Sequence, residues 1–191
     1  MTTKPHDQFA KQFLEELLAP LGEVRTNQEV RDETRFVDVL FTPASQAQDP
    51  NLGLLGRIAL MNTALLEPFR NQPTATEIRN CFLKLFAAIA NAQRKAKRER
   101  RRLAEDGLAR LWLISPSVSE TLLVDFEFKL DLENWPGGVY FFQQGFRGAI
   151  IAVNELPVTA ETLWLRILGR GERHHRAKTG KLYAKTEKRI Q

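Results

Sequence analysis

Arg35-Phe36-Val37-Asp38-Val39-Leu40-Phe41 is the stretch on which the reading of the fold turns. Its β-branched and aromatic content predicts a strand, and Thr42-Pro43 closes it, because proline cannot extend a central ladder. Side chains alternate along a strand. Val37, Val39 and Phe41 are therefore expected on one face, and Phe36, Asp38 and Leu40 on the other. Both faces are apolar, the pattern of a strand covered from two sides. Asp38 then sits among large hydrophobes, where an unpaired carboxylate is costly. The position calls for a metal ion, a cation or a set of hydrogen-bond donors. The plain alternative is an acid satisfied by backbone N–H groups or by Arg35.

Working outward, residues 6–19 predict an opening helix with Phe9, Phe13, Leu17 and Leu18 at helical spacing, stopped by Pro20. Glu23 to Val30 reads as an edge or hairpin strand joined to the Asp38 strand by the polar turn 31–34. The first 42 residues thus predict α-β-β. Leu52 to Met61 is a short helix or a buried segment, and Pro68 and Pro73 bracket an irregular piece. Thr74 or Thr76 caps the longest helix, whose apolar stripe runs Ile78, Phe82, Leu85, Ile89, Ala92 and Ala96, with Gly107 as its expected end. Leu111–Ile114 and Ala149–Val153 read as inner strands, Val139–Phe142 as a further strand, and Ser119–Phe126 as a short helix. A last helix carries Leu163, Trp164, Ile167 and Leu168. This alternation predicts an α/β fold, bordering on α+β, with a mixed sheet.

The 191 residues suit one domain over 1–170 followed by a basic, flexible tail over 171–191. A single cysteine, Cys81, points to a reducing, cytoplasmic setting, and no apolar run is long enough for a membrane span. The net charge of +5 hides a division: residues 94–102 and 170–191 carry +6 each, which leaves the rest of the chain at −7. Arg94, Lys95, Lys97, Arg98, Arg100, Arg101 and Arg102 exceed what capping a helix C-terminus needs. Phosphate contacts with double-stranded DNA, salt-dependent and blind to sequence, are the functional reading of this run; a solvated helix face is the plain one. Cys81, beside Phe82, reads as core rather than nucleophile. His174 and His175 lack the acid or cysteine neighbours of a zinc site.

The opening Pro5-His6-Asp7-Gln8-Phe9-Ala10-Lys11, followed about thirty residues later by the Asp38 strand, resembles the recombination-promoting nuclease and transposase-related group of the PD-(D/E)XK superfamily. The resemblance is strongest to a compact cyanobacterial branch, in Leu52-Gly53-Leu54-Leu55-Gly56-Arg57, Leu66-Glu67-Pro68-Phe69-Arg70 and Glu161–Leu168, and it covers residues 5–171. It implies a restriction-endonuclease-like mixed sheet flanked by helices, with Mg²⁺ or Mn²⁺ held by acids at the sheet edge for hydrolysis of DNA phosphodiesters. The family's first-helix acid carries over to Asp7, and its strand acid, a metal ligand, to Asp38. Its third element, an acid, any residue and then a lysine on the next strand, is absent from the two stretches expected to hold it, Leu54–Arg57 and Leu111–Ile114. Only Glu127-Phe128-Lys129 spells that pattern. The resemblance thus implies a divalent-metal-dependent DNA endonuclease, active or degenerate. The alternative is a non-catalytic protein-interaction module on the same scaffold, with homodimerisation left open.

Overall fold

A computed structural model describes residues 5–30, 35–48 and 51–169, and side chains from residue 8 onward except those of residues 29, 30 and 35. The expected turn at 31–34 and the tail at 171–191 lie outside the described residues. Helix α1 (Pro5–Leu18) leads into strands β1 (Gly22–Val30) and β2 (Arg35–Pro43), then helix α2 (Leu54–Met61) and strand β3 (Ala64–Pro68). The long helix α3 (Ala75–Arg98) precedes β4 (Arg110–Ser115), α4 (Glu120–Asp125), β5 (Lys129–Leu130), β6 (Val139–Phe141), β7 (Gly148–Ala152) and α5 (Leu163–Leu168). The strands form one mixed sheet in the order β1-β2-β3-β4-β7-β6-β5. Its centre, β3-β4-β7, is parallel, and the remaining pairs are antiparallel.

Helices cover both faces. On one, α1, α2 and α5 pack over Val39, Phe41, Leu66, Trp112, Ile114 and Ile151; on the other, α3 and α4 pack over Leu65, Leu111, Leu113 and Ile150. The central strands therefore read as continuous apolar runs whose neighbours belong to opposite cores, as double cover requires.

The sequence reading assigns no strand to β3 or to the short β5, and it extends α3 too far. Strand β3 falls between the expected segment 52–61 and the irregular piece bracketed by Pro68 and Pro73. Ala64-Leu65-Leu66-Glu67-Pro68 contains no β-branched or aromatic residue, and proline ends it, so local preference argues against a strand. Its place between β2 and β4 and the burial of its first four residues override that preference. Helix α3 also ends at Arg98 rather than near Gly107. Thr74 opens it in a reciprocal capping box with Glu77. Arg100 closes it in the left-handed region (φ 51°), where its N–H donates to the Lys97 carbonyl and that of Arg101 to the Ala96 carbonyl. That is a Schellman closure with arginine where glycine is usual.

Arg100→Gly should therefore stabilise the protein. A left-handed L-residue costs about 1–2 kcal/mol, and the extra unfolded-state entropy of glycine returns about 0.5–1 kcal/mol of that. The expected gain is a few tenths to about 1 kcal/mol, read as a higher urea midpoint with unchanged slope.

Candidate functional site

Asp38 lies where β2 departs from regular alternation. Val39 and Phe41 belong to the α1-side core, yet Val37 belongs to the α3-side core, so the facing changes phase at residue 38. The opposite position on β1 is irregular too. Pairing runs through Thr26–Val39 and Gln28–Val37 but skips the pair between them, and Asn27 is left-handed with φ 54°. Ladder irregularities of this kind re-aim side chains and recur beside functional sites. Here the result is a partly exposed Asp38 carboxylate, met by an ammonium from the α1 layer. Lys11 Nζ stands 3.2 Å from Asp38 Oδ1 and donates to Asn27 Oδ1 at 2.9 Å.

A second acid stands beside it. Glu67, on β3, is 3% exposed. The β2–β3 ladder ends at Val39–Leu66, and the next N–H on β2, that of Asp38, approaches Glu67 Oε1 at 3.4 Å. The other oxygen, Oε2, accepts from Lys84 Nζ of α3 at 2.8 Å. Adjacent strands thus bring the Glu67 carboxylate to the backbone of Asp38, and the helical layers on opposite faces supply one lysine to each acid. Burial first, and then the Asp38 charge, push Glu67 up to about 7, against the lowering effect of Lys84. For Lys84, burial works against the ammonium, but the charge and hydrogen bond of Glu67 outweigh it and raise its pKa. Above neutrality the Glu67–Lys84 pair is therefore ionised. Cys81, also on α3, is buried, and burial followed by the nearby Glu67 charge pushes its thiol up, away from nucleophilic use.

The other candidate residues are distributed as follows. Asp7 lies in the first turn of α1, and its side chain is outside the described residues. Glu127 and Lys129 are not brought to Asp38. Lys129 opens β5, the edge strand five places from β2, or about 24 Å at the usual strand spacing. Glu127 closes α4 in the left-handed region, where its carboxylate accepts from Gln143 Nε2. The strand beside β2 does carry an acid, Glu67, with Phe69 rather than a lysine two residues further on, and its lysine partner comes from α3. Among the described residues, no group of three or more His, Cys, Asp or Glu side chains is placed to hold a metal ion. Arg94, Lys95, Lys97 and Arg98 are exposed on the last turns of α3, and Arg101 and Arg102 are exposed in the chain beyond it. Arg101 is paired with Glu99. No described helix is long and apolar enough to cross a membrane. No family model, curated protein or solved structure matches this chain.

The Glu67 shift sets a sign for pH dependence. Its folded pKa, about 7, lies above the ordinary 4.5, so the folded state binds the extra proton between those values. The stability from this group is full below 4.5 and is lost as pH rises through 7. Glu67→Gln removes the titration. The stability of the wild type relative to Glu67→Gln should fall by on the order of 2 kcal/mol from pH 5 to pH 8. Denaturation midpoints across that range measure the difference, and a constant or growing wild-type advantage would contradict it.

Proposed function

We propose that this chain is a nuclease-like protein of the PD-(D/E)XK type on a restriction-endonuclease-like scaffold, with Asp38 and Glu67 as its metal-binding acids and DNA as its substrate. The observation that carries this reading is the buried Glu67 carboxylate on β3, which faces the Asp38 N–H on β2, feels the Asp38 charge and is hydrogen-bonded by Lys84. The donor chemistry fits a hard divalent ion. Mg²⁺ and Mn²⁺ favour carboxylate oxygens and are commonly held by one or two protein carboxylates plus water and substrate phosphate oxygens. Bound there, such an ion would supply Lewis-acid polarisation of a phosphoryl oxygen and a more acidic attacking water. Glu67, ionised above about pH 7, is a ligand whose charge is otherwise costly to bury. Lys84 places a positive charge next to that ligand, where it can stabilise negative charge developing on the phosphoryl group.

The exposed cations at the end of α3 fit phosphate contacts on the same reading. Arg94 lies ten residues beyond Lys84, about 15 Å along the helix axis, or four to five steps of a strand at about 3.4 Å per phosphate. One duplex can span both places. A specific observation favours a second reading as well. Each acid already has a lysine beside it, which suits a scaffold that has given up catalysis and binds a protein partner.

Three measurements separate these readings. On the nuclease reading, plasmid DNA is cut in the presence of Mg²⁺ or Mn²⁺, and Mn²⁺ raises the melting temperature of the wild type but not of Asp38→Asn. Equal shifts in the two proteins would remove Asp38 as a ligand. DNA affinity should fall with salt, and replacing Arg94, Lys95, Lys97 and Arg98 by glutamine should flatten the log–log salt slope by about 0.9 per lost phosphate contact. Affinity indifferent to salt would count against phosphate contacts and for the protein-binding alternative.

A further inference from the structure

We propose that Lys11 is a built-in counter-cation for Asp38, held by Asn27, which a divalent metal ion must displace from Oδ1 in order to bind. The inference rests on the metal-binding reading of Asp38 and Glu67 and assigns that site its own competitor. Lys11 is 8% exposed, so its ammonium is largely withdrawn from water and depends on protein partners. Two of these are Asp38 Oδ1 and Asn27 Oδ1. The second depends on an unusual piece of backbone. Asn27 is left-handed at the one position where the β1–β2 ladder skips a pair, opposite Asp38, a conformation uncommon outside glycine and best tolerated by asparagine and aspartate. The interrupted ladder thus accompanies an amide oxygen placed on the lysine that neutralises the acid.

Charge balance makes the pair a competitor rather than a bystander. The two ion pairs, Lys11 with Asp38 and Lys84 with Glu67, balance each other's charge, and a divalent ion added to them brings two further positive charges into a poorly hydrated place. One cation has to withdraw. The side chain of Asp38 is 24% exposed and that of Glu67 3%, so an ion arriving from solvent meets Asp38 first and contests the oxygen nearest Lys11. Lys84, on the enclosed carboxylate, stays. A lock of this kind raises the metal concentration needed to load the site and favours loading when substrate phosphates bring further oxygen ligands.

The test is Mn²⁺ binding by the full-length protein at pH 8, followed by the electron paramagnetic resonance of the free ion. Lys11→Met, which keeps most of the stem volume, should bind Mn²⁺ at least 10-fold more tightly than the wild type. Asn27→Gly tolerates the left-handed backbone and removes only the amide, and should shift affinity the same way by about 3-fold. It also keeps the proposal falsifiable should Lys11→Met fail to fold. Affinity unchanged or weakened in the variants overturns the lock while leaving the metal site standing. An equal gain in Lys84→Met reduces the effect to net charge and also overturns it. Mn²⁺ bound by neither the wild type nor any variant overturns the lock and the metal-site reading together.

Discussion

The arrangement depends on one electrostatic constraint: the Glu67 carboxylate on the central strand β3 is enclosed against the Asp38 N–H of β2 and feels the Asp38 charge. Neither strand alone neutralises this pair, and each acid receives its lysine from a different helical layer. Lys11 arrives from α1 and Lys84 from α3, on opposite faces of the sheet. The double cover of the sheet, an ordinary consequence of burying apolar strands, is therefore also what makes the acid pair tolerable. Removing one member of a buried ion pair leaves its partner's charge uncompensated, which costs more than the pair contributes. The four side chains are thus expected to respond as a coupled set, so a cycle of double variants is more informative here than single ones.

How far the site was legible depends on which physical signal each residue carries. Asp38 stood out because a charge interrupts an apolar, β-branched run, a conflict visible in seven residues. Glu67 interrupts nothing that reads as a strand. Ala64-Leu65-Leu66 is composed of good helix formers, and Pro68 follows at once, so the segment looks irregular until its neighbours are known. Its strand identity is set by pairing with β2 on one side and β4 on the other, and sequence separation hides both. The two lysines were hidden differently. Lys84 lies in a helix whose other cations face solvent, Lys11 is the one lysine of α1, and nothing local marks either as reaching a sheet acid. The Glu127-Phe128-Lys129 pattern is the converse case, a correct string in the wrong place, carried to the far edge by sheet order.

Helix boundaries show the same division between local and tertiary causes. The start of α3 was legible because Thr74 and Glu77 satisfy each other's backbone donors within one turn. Its end was not, because the left-handed closure falls on an arginine inside a basic run instead of on the glycine eight residues after Glu99. The shorter helix divides the basic run. It leaves Arg101 and Arg102 on irregular chain beyond the last turn, so the cationic run comprises a rigid part and a part with its own geometry. A helix end that gathers positive charge also places it where the macrodipole is negative, which makes the cluster tolerable without any ligand.

The local stability of a charge therefore says little about whether it is used, and the acids supply the contrasting argument. The cationic end of α3 lies in high dielectric, where mutual repulsion is screened and tolerance is cheap. Asp38 and Glu67 sit where screening is weak, and an apolar pair at the same strand positions would extend the two cores that already flank them. Keeping two acids there requires two lysines, an asparagine in an unfavourable conformation and a break in the β1–β2 ladder. Each of these concessions lowers stability or leaves it no better than an apolar core would. Together they concentrate on one small region of the sheet, a few residues of β1, β2 and β3, while the parallel ladder of β3, β4 and β7 runs without a break in its pairing. Costs confined in this way are what the proposed function would require of its two acids, and the basic helix end carries no comparable cost.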